Sequence, residues 1–112
     1  LVDDFTAAPR YIGDGQKGCH EWIIEFSKLP ENMENFIDEL DNSLRSINSD
    51  YDAKRTKNIA VERPTVHAVE PGAFYHWMKK RGKLGGQNKV PRLSNHREFV
   101  DDILKMLQEE KN

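Results

Sequence analysis

The chain has 112 residues, a formal net charge of −2 and 32% charged residues, which suits one domain with a modest core. It is small for an enzyme that must enclose two substrates, so any catalysis is expected to need more protein. The single cysteine, Cys19, excludes an internal disulfide and is typical of a cytoplasmic protein, and no apolar run approaches the ~20 residues that span a bilayer. The first residue is Leu1 rather than Met, which indicates a piece of a longer polypeptide.

Two strands joined as a hairpin are predicted at the start of the chain. Residues 5–12 are compatible with a strand, and Pro9 favours an edge position because proline cannot donate a backbone hydrogen bond. Residues 20–26 alternate in polarity after a glycine-rich polar turn, so they predict a second strand. The apolar face of that strand is formed by Trp22, Ile24 and Phe26.

The glycines of this turn match a dinucleotide-binding fingerprint as a string, Gly13-x-Gly15-x-x-Gly18. The fingerprint works when a helix N-terminus follows it, because the free N–H groups there receive the pyrophosphate. A predicted strand follows these glycines instead. We therefore interpret the segment as the turn of the hairpin.

Residues 31–48 carry the clearest helical pattern in the sequence. Apolar residues recur at three- and four-residue spacing, and Asp41 lies with other acids on the predicted solvent-facing side. Ser49 can cap a further short helix over residues 49–55. The apolar stripe of the longer helix consists of Met33, Phe36, Ile37, Leu40, Leu44 and Ile47.

One strand and two helices are predicted in the rest of the chain. Residues 65–69 follow Pro64 and are rich in β-branched side chains, which favours a strand. Residues 73–81 predict a helix, and Ser94 or Asn95 can cap a last amphipathic helix. The inward residues of these helices are Phe74, Trp77, Met78, Phe99, Val100, Ile103, Leu104 and Leu107. The elements together predict an α+β fold in which a small mixed β-sheet is flanked by helices.

A segment rich in glycine and lysine separates the last two predicted helices. Residues 82–93 contain three glycines, two lysines and one arginine, without helical or strand periodicity. Residues 71–97 carry seven Lys or Arg and no Asp or Glu, although the whole chain is slightly acidic. Lys89 and Arg92 flank Val90-Pro91, where proline restricts the backbone. The pattern indicates either a loop that faces a phosphate group or an ordinary solvated surface.

The histidines and aromatic residues offer weaker candidates. The four histidines do not have the spacing of a metal-ligand set, so no metal site is expected. We interpret His67 and His76 as packing or hydrogen-bonding residues, and the sequence ties no nucleophile to His20. The aromatic residues fall within strand and helix patterns, which favours core packing over base stacking.

Several short motifs are distributed over nearly the whole chain. The most specific is Gln87-Asn88-Lys89-Val90-Pro91-Arg92, and Lys83-Leu84-Gly85-Gly86 precedes it directly. The other motifs are Asp4-Phe5-Thr6, Trp22-Ile23-Ile24-Glu25, Asn48-x-x-Tyr51-x-x-x-Arg55, Gly72-x-Phe74 and Arg81-Gly82. Together they resemble the C-terminal part of the auxin-responsive promoter (Gretchen Hagen type) family of acyl acid amido synthetases. The paired glycines and their lysine resemble bacterial members more than plant members.

The resemblance implies an ATP-dependent ligase reaction in two steps. A carboxylic acid attacks the α-phosphate of ATP to form an acyl adenylate and pyrophosphate, and the amine of an amino acid then displaces AMP. Residues 1–112 would be the mobile C-terminal domain of this longer adenylate-forming enzyme, and its N-terminal domain would be their partner. That domain would bind ATP, Mg²⁺ and the acyl acid. The isolated chain is therefore expected to be inactive and to hold no cofactor.

The resemblance also assigns roles within the basic segment. Lys89 matches the family lysine that is expected to reach the phosphates of ATP and to act catalytically during adenylate formation. The expected supports of the loop geometry are Gly85, Gly86, Gln87 and Arg92. The role of Lys83 stays open because plant members lack it.

Two other interpretations of the sequence remain. The basic segment can belong to a nucleic-acid-binding module, although a net charge of −2 argues against one because such domains are generally basic. The face of Phe74 and Trp77 can instead dock a protein partner. The family resemblance favours neither, and implies no nucleic acid and no membrane as a partner.

Overall fold

The computed structural model describes residues 2–12, 17–56, 61–80 and 97–111. In chain order these form β1 (Val2–Ile12), β2 (Lys17–Phe26), α1 (Met33–Ile47), α2 (Ser49–Thr56), β3 (Thr65–Val69), α3 (Ala73–Lys80) and α4 (Glu98–Lys111). β2 pairs antiparallel with β1 and parallel with β3, which gives a mixed sheet in the order β1-β2-β3. The predicted α+β fold is confirmed. The turn between β1 and β2 lies at residues 13–16, outside the described residues.

Helices cover the central strand β2 on both faces. Trp22, Ile24 and Phe26 lie on the face that packs against α1, as the sequence predicts. Ile23 is fully buried on the other face, in a cluster with residues of α3 and α4. The sequence does not reveal this second face, because its alternate positions at Glu21 and Glu25 are acidic. The fold therefore has three layers, with the sheet between two pairs of helices.

A single asparagine separates α1 from α2. Asn48 has an extended backbone, and its N–H donates to the carbonyl of Leu44 at the end of α1. Its side-chain Oδ1 accepts a hydrogen bond of 3.0 Å from the backbone N–H of Tyr51, and so caps the start of α2. The prediction that Ser49 is the cap is therefore wrong, and Ser49 is the first residue of the helix.

The start of α3 is capped by a side chain of the sheet. Gly72 has a φ of +89° and accepts the first helical hydrogen bond through its carbonyl, but it has no side chain to cap the helix. The Oε1 of Glu25 in β2 accepts from the backbone N–H of Phe74 at 3.0 Å instead. This contact fixes α3 against the central strand.

The core of the α3–α4 layer gives a direct test of the fold. Ile103 is 1% exposed and Ile47 is 79% exposed, so the same substitution at the two sites separates burial from side-chain identity. We expect Ile103→Val to lower the free energy of unfolding of this chain by about 1 kcal/mol, because a buried methyl group is lost. Ile47→Val should leave it unchanged. Chemical denaturation followed by circular dichroism measures both variants, and equal effects would remove α4 from the core.

Candidate functional site

The basic segment, residues 82–93, belongs to the stretch of chain between α3 and α4. The predicted site residues Lys83, Gly85, Gly86, Gln87, Lys89 and Arg92 all lie within residues 81–96, outside the described residues. The proposed caps of α4, Ser94 and Asn95, lie there too. The structure does describe the residues at both ends of the segment, Lys80 at the end of α3 and Arg97 just before α4.

Arg97 ties the far end of the segment to three elements. Its Nη1 donates to the carbonyl of Pro9 in β1 at 3.0 Å, and its Nη2 lies 2.6 Å from Oε1 of Glu21 in β2. Nη2 also lies 2.7 Å from Oδ1 of Asp101 in α4. The carbonyl of Arg97 accepts the first backbone hydrogen bond of α4. One guanidinium therefore holds the start of α4 against the sheet, which is a use suited to its forked set of donors.

Glu21 is the buried partner in this network. It is 5% exposed, and its second oxygen, Oε2, lies 2.6 Å from Nε2 of His67 in β3. Burial alone would raise the pKa of the Glu21 carboxyl, but the hydrogen bonds from His67 and Arg97 outweigh it and lower that pKa below its usual value. Glu21 therefore stays a carboxylate with a defined partner on each oxygen. The prediction that His67 makes a local hydrogen bond is confirmed.

The near end of the segment is held through α3. Trp77, three residues before Lys80, is 2% exposed, and its indole Nε1 donates to Oδ2 of Asp102 in α4 at 2.7 Å. Its ring also meets that of Phe99 edge-on, with centroids 5.7 Å apart. Both contacts join α3 to the first turns of α4. The two helices that flank residues 81–96 in the chain are therefore joined to each other.

The described surface beside these helices has mixed charge. Lys79 and Lys80 occupy the last turn of α3, where a positive charge interacts favourably with the helix dipole. His76 forms a hydrogen bond with Glu110 of α4. This contact agrees with the interpretation of His76 as a packing or hydrogen-bonding residue. A groove of about 240 Å³ between the two helices is lined by Trp77, Lys80, Asp102, Lys105, Met106 and Glu109. Among these described lining residues the two cations and two acids balance, so they supply no net positive charge for a polyphosphate.

A second buried carboxylate lies on the other side of the sheet. Asp41 of α1 is 6% exposed, so its predicted position on a solvated face is wrong. Arg55 of α2 donates to both of its oxygens, at 2.9 and 2.7 Å, and the hydroxyl of Tyr51 donates to Oδ1 at 2.7 Å. Burial would raise the pKa of Asp41, but the hydrogen bonds from Arg55 and Tyr51 lower it. These contacts lock α2 onto α1.

His20 lies close to this cluster without joining it. Its ring centroid is 5.9 Å from that of Tyr51. Burial, together with the positive charge of Lys54, lowers the pKa of His20 below its usual value. The imidazole is therefore neutral near pH 7, and its buried Nδ1 has no hydrogen-bond partner among the described residues.

No group of three or more His, Cys, Asp or Glu side chains among the described residues is placed to hold a metal ion. None of the described helices is long and apolar enough to cross a lipid bilayer.

Comparison with protein-family models decides the family. Residues 1–98 match the model described as the GH3 family C-terminal domain. The chain belongs to the GH3 family. This is the family that the sequence motifs resemble, and the matched region includes the whole basic segment and Arg97. A comparison with curated proteins finds no match.

Solved structures give the same fold. A structure titled GH3.15 acyl acid amido synthetase matches with a TM-score of 0.70 and 21% identity, and covers 94% of this chain and 19% of its own. A second, titled AtGH3.15 acyl acid amido synthetase in complex with 2,4-DB, matches with a TM-score of 0.62 and 19% identity. It covers 94% of this chain and 20% of its own. The chain therefore spans about a fifth of the length of these structures.

The structure explains one motif shared with the GH3 family in purely architectural terms. In Asn48-x-x-Tyr51-x-x-x-Arg55, the asparagine caps α2 and the other two side chains bind Asp41. The motif therefore holds two helices together. Asp41 itself is not predicted, although Tyr51 and Arg55 lie one helical turn apart and so share a face that needs an acceptor.

The contacts made beside the basic segment are also not predicted from the sequence. The fold brings together residues that are far apart in sequence, because Glu21 pairs with Arg97 and Asp102 accepts a hydrogen bond from Trp77. One signal exists for Glu21. An acid that directly precedes the apolar run Trp22-Ile23-Ile24 of a predicted strand needs a partner if it is buried, which favours an arginine or histidine nearby.

Proposed function

We propose that this chain is the C-terminal domain of an ATP-dependent acyl acid amido synthetase. The observation that carries the proposal is the family match over residues 1–98, which includes the Gln-x-Lys-Val-Pro-Arg run with Lys89. The titles of the similar structures name the same class of enzyme. Because the chain spans about a fifth of those proteins, the nucleotide, the acyl acid and Mg²⁺ would be bound mainly by an N-terminal domain.

The proposed reaction is a ligation in two half-reactions. A carboxylate oxygen of the acid attacks the α-phosphorus of ATP, the bond to the bridging oxygen breaks, and pyrophosphate leaves. The amine of an amino acid then attacks the acyl carbon, loses a proton and expels AMP, so that an amide forms. Mg²⁺ would supply charge neutralisation at the phosphates. The acyl acid and the amino acid are left open by the residues of this domain.

Lys89 is the proposed catalytic residue of the first half-reaction. Its ammonium group would stabilise the negative charge that develops as pyrophosphate leaves. Gly85, Gly86, Gln87 and Arg92 would support the loop that carries it, and Lys83 is a further candidate. In the second half-reaction negative charge also develops on the phosphate of the departing AMP, but the mobile C-terminal domain would by then have moved Lys89 away from the phosphates. Lys89 is therefore assigned to adenylate formation alone.

The described residues support this assignment through the ends of the segment. Trp77 and Asp102 join α3 to α4 at one end, and Arg97 with Glu21 fixes the other. A cation delivered by a loop is effective only when the loop is mounted on rigid elements. Both mounting points are part-buried contacts between different parts of the fold.

The described surface fits a supporting domain better than a nucleotide-binding one. Among the described residues, cavities of about 240, 440 and 510 Å³ have no excess of Lys or Arg over Asp or Glu in their linings, and a polyphosphate needs such an excess. We therefore expect the isolated chain to bind ATP and Mg²⁺ too weakly for calorimetry to detect.

Two measurements test the proposed function together. The full-length protein, incubated with ATP, Mg²⁺, a panel of carboxylic acids and the amino acids, should release AMP and form an amide that mass spectrometry identifies. Calorimetric titration of residues 1–112 with ATP should give no binding heat. Tight, adenine-selective binding by the isolated chain would move the nucleotide site into this domain and contradict the proposed architecture.

A further inference from the structure

Two buried acids in the described part of the chain have similar local chemistry and different locations. Glu21 and Asp41 are 5% and 6% exposed, and each is paired with an arginine. The pair of Asp41 and Arg55 joins α1 to α2 on one side of the sheet. The pair of Glu21 and Arg97 joins the central strand to the residue at which the basic segment meets α4. Of the two pairs, only the second includes a residue that directly follows residues 81–96 in the chain.

The carboxylate of Glu21 is held in a single orientation by its surroundings. Its Oε2 faces His67 of β3 and its Oε1 faces Arg97, both at 2.6 Å, so rotation of the carboxylate would break both contacts. The strand that carries it lies between two paired strands. Arg97 in turn has the carbonyl of Pro9 on its other nitrogen. The guanidinium is therefore directed by β1 and β2 together, which are rigid elements.

We propose that Glu21 is a positioning residue for the phosphate-stabilising lysine, acting through Arg97 on the place and direction in which residues 81–96 join α4. This inference rests on the proposed function of Lys89. Glu21 would touch neither ATP nor the acyl acid. Its effect would be confined to the half-reaction that uses Lys89, because misplacement of a catalytic group by about 1 Å can cost about 10²-fold in rate.

A structural role alone would have a different consequence. If Glu21 only fastened α4 to the sheet, its loss would resemble the loss of Asp41, which fastens α2 to α1. Asp41→Asn is therefore the matched control for Glu21→Gln, since both changes remove a buried charge and keep the size of the side chain. Arg97→Lys is a second test variant, because lysine keeps the charge and cannot span Pro9 and Glu21 at once.

The experiment uses the full-length protein and measures the two half-reactions separately. Exchange of labelled pyrophosphate into ATP reports adenylate formation, and single-turnover transfer from synthetic acyl-AMP reports amide formation. We expect Glu21→Gln and Arg97→Lys to slow exchange by about 10- to 100-fold and to leave transfer nearly unchanged. Asp41→Asn should lower the unfolding temperature without changing the ratio of the two rates. Equal loss in both half-reactions, or unchanged exchange, would overturn the proposal.

A readout that does not depend on activity separates this proposal from the proposed function. Trypsin can cleave after Lys83, Lys89 and Arg92, and peptide mass spectrometry measures the rate at each site in the full-length protein. We expect Glu21→Gln to change these rates, and Asp41→Asn to leave them as in the unmodified protein. If the unmodified protein shows no pyrophosphate exchange, the proposed function fails. If the cleavage rates of Glu21→Gln equal those of Asp41→Asn, the role of Glu21 is overturned.

Discussion

Full-length protein with Lys89→Ala should lose adenylate formation by about 10²–10³-fold, which is the usual effect of removing one preorganised charge contact at a transition state. The amine would still attack a preformed acyl adenylate at close to the normal rate, because pyrophosphate has already left. Lys89→Arg should restore little, since a planar guanidinium does not replace a compact ammonium at a tightly held phosphate. Pyrophosphate exchange and transfer from synthetic acyl-AMP, measured separately, check both expectations.

Lys54→Ala is the control for this prediction. Lys54 lies on α2, on the other side of the sheet, and forms an exposed ion pair with Asp50 four residues earlier. Its removal should change neither half-reaction. Equal loss in both half-reactions of Lys89→Ala would assign the lysine to folding or docking, and undiminished exchange would remove it from the site.

The second large effect is expected on stability, at Arg55. Arg55→Ala leaves the carboxylate of Asp41 buried with only Tyr51 as a donor, because both guanidinium contacts are lost. Removing one partner of a buried ion pair typically costs ~3–5 kcal/mol, and the remaining Tyr51 hydrogen bond favours the lower end. Chemical denaturation of residues 1–112 at pH 7 measures the change. Arg45→Ala, which breaks the more exposed pair with Asp52, should cost at most ~1 kcal/mol.

The pH dependence of this effect follows from the lowered pKa of Asp41. A carboxyl whose pKa is lower in the folded state contributes stability above its unfolded pKa of ~3.9, and loses it as pH falls through the folded value. The difference between the unmodified chain and Arg55→Ala should therefore be constant from neutral pH to about pH 5. It should shrink below pH 4, at acidities near and below that unfolded pKa. A difference that grew on acidification would contradict the ion pair.

The periodicity of apolar residues predicts a helix or strand correctly when one of its faces is buried and apolar and the other is exposed and polar. The β-branched run of β3 and the apolar stripe of α1 fall where the sequence places them, within one or two residues at α1. Ile47 is the exception, because this last residue of the predicted stripe is 79% exposed. The helix α1 begins at Met33 rather than at residue 31. Asn32 is its N-cap, because the Oδ1 of Asn32 accepts a hydrogen bond of 3.1 Å from the backbone N–H of Asn35. Boundaries of this kind depend on one side chain, and a periodic pattern does not report them.

Burial of charge is the feature that periodicity cannot predict. Asp41 and Glu21 have the polarity of surface residues, and their burial depends on arginines at positions 55 and 97. The arginine at position 97 is 76 residues from its partner in sequence. The motif containing Lys89 is a different case, because its role is inferred from resemblance to the family and its residues lie outside the described part of the chain. The roles of its residues stay predictions.

Carboxylate-dependent exchange of labelled pyrophosphate into ATP, by the unmodified full-length protein without any amine, tests the central claim most directly. An adenylate-forming enzyme completes its first half-reaction reversibly in the absence of the second substrate. We predict exchange that requires Mg²⁺ and one class of carboxylic acid, with AMP as the nucleotide released once an amino acid is added. Release of ADP and phosphate during amide formation, with no exchange for the acid that is used, would contradict the account.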